Sequence, residues 1–381
     1  MIQHRRQKRD LVLVDTTLRD GEQAAGVVFF RQEKQKIAQL LSLTGIDELE
    51  AGIPVMGLEE QETIRSLVRM QLPVRLICWC RANQRDLAMA KDCRTDAVHL
   101  SFAGSGVLQK TFGMTGDSVV GALDELVKSA RTDFSFVSVG AQDVARAGRS
   151  FLLEFCRKAF ALGVDRVRLA DTLGAMNPFQ VFSLIQFLRD QGVEGDLEFH
   201  AHNDLGMATA NALAAVEAGA TSLSVTVNGL GERAGNAALE EVALALKMTV
   251  GKSCGIDLRM LSALSQRVAD CSGRAVPEAK PVVGTAAFSH ESGIHTRGLI
   301  KNPESYELIS ARQVGRKGSE FVIGKHSGGA AIGRALLNEG IFATREEQSV
   351  IVGEMRKIFE DRKKPLSSQE LRTLYHRMHR I

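Results

Sequence analysis

One strand-to-helix junction in the sequence reads His200-Ala201-His202-Asn203-Asp204, between a short apolar run and an alanine-rich helical pattern. In an extended strand, residues two apart point to the same side, so His200 and His202 can present two imidazoles to one centre. Two neutral imidazoles and a carboxylate suit a divalent metal, and Asp20 supplies a candidate carboxylate. The alternative is that each histidine is a hydrogen-bonded core residue.

The junction belongs to a repeat of short β-rich runs and helical segments over the first 265 residues. The eight runs are 11–15, 47–51, 74–79, 97–102, 134–139, 166–170, 197–202 and 222–227. The segments between them carry apolar residues at spacings of three and four, which is typical of amphipathic helices. Eight strand–helix units predict an α/β protein with a (β/α)₈ TIM barrel, although an open doubly wound sheet shares this alternation.

Polar residues concentrate after the carboxyl ends of these runs, where a TIM barrel forms its active site. They are Arg19, Asp20, Glu50, Arg81, Ser138, Gln142, Asp171, Thr172, His200, His202 and Asn228. Random surface polarity would not favour one end of every strand. The pattern therefore predicts a functional rim.

The repeat of strands and helices ends near residue 265. We expect a barrel domain at 1–265, a proline- and glycine-containing linker subdomain at 266–310 and a small helical subdomain at 311–381. Two capping-box pairs, Thr344 with Glu347 and Ser367 with Glu370, predict the starts of two late helices.

Composition excludes several classes of protein. A hydrophobic content of 44% and a charged content of 24% are ordinary for a soluble globular protein. The net charge of +3 is local, because residues 1–10 hold four basic residues (Arg5, Arg6, Lys8 and Arg9) against Asp10 and the rest sums to zero. We therefore expect a solvated basic arm and no nucleic-acid surface.

The sequence also predicts the cellular setting. It has no apolar stretch long enough to span a membrane and no apolar core of a signal peptide, so we expect no membrane association. Six scattered cysteines in a chain of 381 residues indicate reduced thiols and a cytoplasmic protein.

Several further residues can take part in chemistry at the rim. Asn236, beyond the eighth run, could reach the same ion as Asp20 and the two histidines. Oxygen and nitrogen ligands suit Mg²⁺, Mn²⁺ or Zn²⁺, but two histidines and a carboxylate also hold iron in non-haem oxygenases. Arg19 offers a cation beside the metal for an oxyanion, or else an ion pair that holds the loop.

A glycine-rich turn at 228–236 feeds the last helix of the repeat. Backbone amides at such a helix start favour anions, so Gly229 and Gly231 are candidates for binding a phosphate or carboxylate of a cofactor. In the linker, His295 is a candidate general base, with Tyr306 eleven residues further on. The alternative for His295 is a structural role, and 324–328 reads as a tight turn before a helix.

Seven stretches together resemble the α-isopropylmalate and homocitrate synthase family over nearly the whole chain. They are 15–23 (DTTLRDGEQ), 50–54, 170–178 (ADTLGAMNP), 200–206 (HAHNDLG), 228–236 (NGLGERAGN), 291–295 (ESGIH) and 324–328 (GKHSG). Within the family, the chain looks most like homocitrate synthase of the nitrogen-fixation type.

The resemblance implies a Claisen condensation of acetyl-CoA, the co-substrate, with 2-oxoglutarate, followed by thioester hydrolysis to homocitrate and CoA. It implies a divalent metal that holds the keto and carboxylate oxygens of the 2-oxo acid. The metal ligands would be Asp20, His200, His202 and Asn236. A homodimer is the expected assembly.

The resemblance also assigns roles to the remaining candidates. Arg19 would polarise the keto group, and His295, assisted by Tyr306, would take a proton from the acetyl methyl group. The 2-oxo acid would be held by Arg19, Gln23, Glu50, Arg81 and Thr172. Of these, Arg81 would meet the distal carboxylate and Thr172 the near one.

One position departs from the family pattern. Gln142 stands where members usually have a glutamate that supports the base, and it lacks the negative charge that would raise the basicity of His295. Gln142 leaves open a binder of low activity, and an isopropylmalate or citramalate synthase that uses another 2-oxo acid is a separate alternative. A lyase of the hydroxymethylglutaryl-CoA type would be expected to have a reactive cysteine in a glycine-rich carboxy-terminal loop. Cys254 and Cys271 do not lie in such a loop, so a lyase is disfavoured.

Overall fold

Eight parallel strands close into a barrel in the order of the chain. They are β1 Val12–Asp15, β2 Glu48–Gly52, β3 Arg75–Arg81, β4 Ala97–Ala103, β5 Phe136–Gln142, β6 Arg166–Asp171, β7 Asp196–Ala201 and β8 Ser222–Val225. The barrel closes where β1 pairs with β8, with Val12 opposite Ser222. The predicted (β/α)₈ barrel is confirmed. The computed structural model describes residues 11–378, so the predicted basic arm at 1–10 lies outside the described residues.

Helices form the outer layer of the barrel. They are α1 Arg31–Thr44, α2 Leu58–Arg69, α3 Gln84–Cys93, α4 Gly106–Thr111, α5 Gly116–Asp133, α6 Arg149–Ala161, α7 Pro178–Asp190, α8 Ala208–Glu217, α9 Leu239–Ala245 and α10 Leu261–Ser272. Their apolar stripes pack on the strands, as Ile37 and Leu41 of α1 do. Among the described residues, no helix has both the length and the apolar character needed to cross a membrane.

Two features differ from the sequence-based expectation. The fifth strand, predicted to end at residue 139, continues to Gln142, because Ala141 and Gln142 still pair with Leu169 and Ala170 of β6. The short helix α4 was not predicted. Its N-cap is Ser105, whose hydroxyl accepts a hydrogen bond from the backbone N–H of Leu108.

The chain divides into two compact units, Met1–Val276 and Pro277–Ile381. Helix α10 crosses residue 265, and its Leu264 and Val268 belong to the apolar core of the barrel. The three-part division at residues 265 and 310 stays a prediction.

The second unit is built mainly from helices. Its elements are β9 Ser289–His290, α11 Gly293–Lys301, β10 Glu320–Phe321, α12 Gly329–Asn338, α13 Arg345–Ile358 and α14 Ser368–Met378. The strands β9 and β10 pair in parallel. Both predicted capping boxes are present, since the hydroxyls of Thr344 and Ser367 accept hydrogen bonds from the backbone N–H groups of Glu347 and Glu370.

Charged side chains occupy much of the barrel interior. Arg166 of β6 is 2% exposed and contacts Glu48 of β2 at 2.5 Å and Asp196 of β7 at 2.7 Å. Arg168, two residues further along β6 and on the same face, contacts Glu50 at 2.6 Å and Glu198 at 2.8 Å. Buried charges are tolerated only when they are paired, so these contacts fix the strands relative to one another.

Replacing Arg166 by leucine should lower the free energy of unfolding by about 3–5 kcal/mol, because Glu48 would keep a buried charge without its closest partner. Urea unfolding followed by circular dichroism measures this change. The matched control is Arg69→Leu, which removes an exposed arginine paired with Glu62. Equal losses in the two variants would contradict a special role for the interior pair.

Candidate metal centre and active-site cavity

Asp20, His200 and His202 meet at the mouth of the barrel. Nε2 of His200 lies 3.3 Å from Oδ2 of Asp20 and 3.1 Å from Nε2 of His202. All three side chains are buried, and one ligand atom from each lies within 4.8 Å of the others. The sequence prediction that the two histidines face one centre agrees with this geometry.

The turn after β1 places Asp20 at this centre. The Asp15 carboxylate accepts hydrogen bonds from the backbone N–H and the hydroxyl of Thr17, at 2.9 and 3.0 Å. The backbone N–H groups of Arg19 and Gly21 both donate to the carbonyl of Thr16. Asp15 therefore shapes the turn, while Asp20 is the carboxylate that reaches the histidines.

A glycine-rich loop after β8 delivers Asn236 to the same centre. Its Nδ2 donates to Oδ1 of Asp20 at 3.2 Å and to the carbonyl of Leu230 at 3.1 Å. A Cβ on Gly231 would lie 2.1 Å from that Nδ2, and one on Gly235, whose φ is +86°, would lie 1.9 Å from a backbone oxygen. The loop can take this path only without side chains at these positions.

The predicted anion-binding role of Gly229 and Gly231 stays a prediction. The backbone N–H of Gly229 donates to the carbonyl of Thr226, so this amide is already used inside the loop. The observed effect of the glycines is to make room for Asn236.

The charge states of Asp20 and His202 suit a cation. Burial alone would raise the pKa of the Asp20 carboxyl, but the Arg19 guanidinium and the two histidines hold that pKa well below its usual range. Burial, together with the neighbouring His200, lowers the pKa of His202 to about 4. At neutral pH the centre thus presents a carboxylate and a neutral imidazole with a free lone pair.

A divalent metal fits these residues. Among the described residues, the buried Oδ1 of Asn236 and Nδ1 of His200 have no hydrogen-bond partner. The carboxylate, amide and imidazole atoms are ligands that Mg²⁺, Mn²⁺ and Zn²⁺ accept. Asp20, His200, His202 and Asn236 would hold such an ion.

A cavity of about 180 Å³ opens beside this centre. The residues proposed from the sequence that line it are Arg19, Asp20, Gln23, Gln142, Thr172, His200 and His202. Other lining residues, which the sequence analysis did not propose, include Trp79, His99, Ser101, Arg168 and Arg233.

Arg19 is held rigidly at the edge of the cavity. Its Nη1 contacts Asp20 at 2.7 Å and its Nε contacts Glu50 at 2.5 Å. The guanidinium carbon lies 5.3 Å from the centre of the Trp79 ring, within the range of a cation–π contact. The ion-pair alternative for Arg19 agrees with these contacts, which also hold a cation beside the candidate metal ligands, and its role towards an oxyanion stays a prediction.

Two residues predicted to hold the 2-oxo acid lie outside the cavity lining. Glu50 is fully buried, and its two carboxylate oxygens contact Arg19 and Arg168. Arg81 forms a two-point ion pair with Asp86, at 2.8 Å for both contacts, and its side chain is 59% exposed. Glu50 thus contacts two arginines, and Arg81 is paired with Asp86 outside the cavity lining, so the substrate contacts of both residues stay predictions.

His99 and Arg168 also line the cavity. Nδ1 of His99 lies 2.9 Å from the hydroxyl of Ser138, and burial together with Arg168 lowers the pKa of His99 well below its usual range. The signal for Arg168 was present in the sequence. The alternation of Arg166 and Arg168 within an otherwise apolar strand puts both arginines on one face.

Gln142 ends β5 and lines the cavity, whereas the neighbouring Asp143 does not. Asp143 accepts hydrogen bonds from Ser105 at 2.6 Å and from Arg146 at 2.8 Å. Its carboxylate is thus committed to a separate network, and this geometry gives no support to Asp143 as a replacement for the missing glutamate.

His295 and Tyr306 lie together in the second unit. Their rings stack with centroids 4.2 Å apart. The motifs at 291–295 and 324–328 pack against one another, since the backbone N–H of His326 donates to Glu291 at 3.0 Å and that of Gly293 donates to the carbonyl of His326 at 3.0 Å. The tight turn predicted at 324–328 is present and leads into α12.

Comparison with family models matches both parts of the chain. Residues 10–268 match the HMGL-like family, and residues 282–363 match the homocitrate synthase post-HMGL domain-like family. The chain belongs to the isopropylmalate and homocitrate synthase family. The family membership inferred from the sequence motifs is therefore confirmed.

Individual relatives of this synthase family carry different names. The chain is 44% identical to 2-isopropylmalate synthase 2 of Caldanaerobacter subterraneus over 96% of this chain and 95% of the relative. It is 42% identical to homocitrate synthase 1 of a Nostoc species over 96% of both chains. Hydroxymethylglutaryl-CoA lyase from Pseudomonas aeruginosa shares the fold, with a TM-score of 0.63, 22% identity and coverage of 70% of this chain and 95% of that one.

Divalent metal should raise the midpoint of thermal unfolding of this synthase. At a free metal concentration about 100 times Kd, the stabilisation is about 2.7 kcal/mol. Differential scanning fluorimetry with Mg²⁺, Mn²⁺ and Zn²⁺, after chelator treatment, measures the rise. Asp20→Asn should abolish it.

The control for this experiment is Asp143→Asn, which removes a buried carboxylate of the same rim outside the cluster of ligands. This variant should keep the response to metal. A response that survives in Asp20→Asn would mean that the ion binds elsewhere.

Proposed function

We propose that the protein condenses acetyl-CoA with a 2-oxo acid and then hydrolyses the thioester. The observation that carries the proposal is the meeting of Asp20, His200 and His202, with the unpartnered amide oxygen of Asn236, beside the fixed cation of Arg19. A divalent ion held there would polarise the keto group of the acceptor and neutralise the developing alkoxide.

The proposed condensation moves electron pairs from the acetyl methyl group to the keto oxygen. A base takes a proton from the acetyl methyl group, and the electron pair left on that carbon forms a bond to the keto carbon. The keto π pair moves to its oxygen, which Arg19 stabilises before it is protonated to a hydroxyl. Water then attacks the thioester carbonyl, and the CoA thiol leaves.

His295 is the proposed base, with Tyr306 stacked against it. An imidazole is suited to proton transfer near neutral pH. Thr172 and Gln23, which line the cavity, are proposed to contact the acceptor. The expected homodimer and a cytoplasmic role connected with nitrogen fixation remain proposals from the resemblance.

We propose 2-oxoglutarate as the first acceptor, with homocitrate as the product. The polar residues His99, Ser101 and Arg168 in the cavity lining favour an acceptor whose side chain is itself polar. Isopropylmalate synthesis from 2-oxoisovalerate is the second candidate. It is favoured by the position of Arg81 outside the cavity and by the 44% identity to a relative of that name.

A thiol-release assay with acetyl-CoA and metal-loaded protein tests the proposal. We expect CoA release that depends on 2-oxoglutarate, with homocitrate identified by mass spectrometry. A preference for 2-oxoisovalerate or pyruvate would keep the mechanism and change the acceptor. His295→Asn is the control for the proposed base. This variant should still bind metal, while its kcat should fall by about 10²–10⁴-fold.

Absence of CoA release with all three acceptors, in protein shown to bind metal, would contradict the proposed condensation. It would favour the binder of low activity that the glutamine at position 142 suggests.

Gln142→Glu should raise kcat by up to about tenfold, because the family resemblance assigns a glutamate at this position to the support of the base, and a rise of one unit in the pKa of a base is a tenfold rise in its proton affinity. Steady-state kinetics with the preferred acceptor measures this change. Gln142→Ala serves as the comparison, since it removes the amide without adding charge. A fall in kcat for Gln142→Glu would show that the site requires a neutral hydrogen-bonding group.

A further inference from the structure

Arg168 is a buried arginine with two nitrogens, Nε and Nη2, that lack a hydrogen-bond partner among the described residues, although Nε is held in an ion pair. It is 3% exposed and lines the cavity. Its Nη1 lies 2.6 Å from Glu50 and its Nε 2.8 Å from Glu198. Among the described residues, its Nη2 has no hydrogen-bond partner, although a buried guanidinium nitrogen normally has one.

Arg166, two residues earlier on the same strand, shows what a purely structural arginine looks like here. Its Nη1 and Nη2 contact Glu48, and its Nε contacts Asp196. It does not line the cavity, and none of its nitrogens is among the buried unpartnered atoms of the described residues. Structural pairing alone therefore does not account for the exposure of Arg168 to the cavity.

The space in front of Arg168 is kept open by a glycine. A Cβ on Gly140 would lie 2.7 Å from Nε2 of His99 and 3.4 Å from Cβ of Arg168. A side chain at position 140 would therefore meet the His99 imidazole and the base of the Arg168 side chain, and both residues line the cavity. Nδ1 of His99 is taken by Ser138, which leaves Nε2 for the cavity.

A cavity lined by both an arginine and a histidine suits a small acidic group. Arginine binds carboxylates through charge-assisted hydrogen bonds, which are about twice as strong as neutral ones. The two carboxylates on Arg168 limit this attraction, and Glu198 competes most directly because Arg19 shares Glu50.

We infer that Arg168 is the specificity-determining residue of the cavity and binds the distal acidic group of a 2-oxo acid that carries a second carboxylate. The inference rests on the proposed function and assigns to Arg168 the task that the sequence suggested for Arg81. Glu198, whose carboxylate also accepts a hydrogen bond from Ser224, sets how strongly Arg168 attracts that group.

The test compares two acceptors in several variants. Thiol release gives kcat/KM with 2-oxoglutarate and with 2-oxoisovalerate for three proteins. They are wild type, Glu198→Gln and the double variant that combines Arg168→Gln with Glu198→Gln. The ratio of the two values is the readout, so that a general loss of activity cancels. The double variant removes one positive and one negative charge, which avoids leaving an unpaired buried carboxylate at Glu198.

We expect Glu198→Gln to raise the ratio in favour of 2-oxoglutarate, since Arg168 loses a competing partner. The double variant should lower the ratio by about 10- to 100-fold, the loss expected for a hydrogen bond to a charged group, mainly through KM for 2-oxoglutarate. The matched control is Arg166→Gln with Glu48→Gln, which removes the same two charges outside the cavity and should leave the ratio unchanged. An unchanged ratio in the Arg168 double variant would overturn the inference.

Calorimetric binding of 2-oxoglutarate to metal-loaded protein separates this inference from the proposed function. If wild type binds 2-oxoglutarate and the Arg168 double variant does not, the inference holds even where no CoA is released. If CoA is released with 2-oxoisovalerate and wild type does not bind 2-oxoglutarate, the condensation stands and the role of Arg168 is refuted.

Discussion

A chain of alternating buried charges runs from the mouth of the barrel into its interior, and the positions of the site residues depend on it. Asp20 contacts Arg19, Arg19 contacts Glu50, Glu50 contacts Arg168, and Arg168 contacts Glu198. Most TIM barrels fill this space with branched apolar side chains. Each charge here is tolerated only through its neighbours, so the chain holds two guanidinium groups rigidly beside the cavity and reduces the reorganisation that a reaction would require.

Missing side chains shape the site as much as charged ones do. Gly231 and Gly235 let the loop after β8 fold tightly enough to bring Asn236 against Asp20. Gly140 leaves room beside the His99 ring and the base of the Arg168 side chain. A larger residue at these positions would meet the Asn236 amide, a backbone oxygen or the His99 ring, so the rim depends on close packing around these glycines.

The barrel and the meeting of His200 with His202 were predictable because their signals are local. Strand and helix periodicities repeat within each unit, and the spacing of His200 and His202 alone places them on one side of a strand. The contacts of long side chains are harder to predict. Arg81 was proposed as the distal cation because it follows a strand, but Asp86, five residues later, captures it at the N-terminal turn of α3. Polarity at a strand end does not reveal which partner a long side chain will choose.

By itself, the sequence determined the eight strand–helix units, the family motifs and the types of ligand available at the rim, because each of these is written in neighbouring residues. Only the tertiary structure decided that Glu50 pairs with Arg19 and Arg168, and that Arg168 faces the cavity. Glu50 and Arg168 come from β2 and β6, and closure of the barrel is what brings them together. Pairing across a barrel depends on strand stagger and on the cost of leaving any buried charge alone, and neither quantity can be read from one segment of the chain.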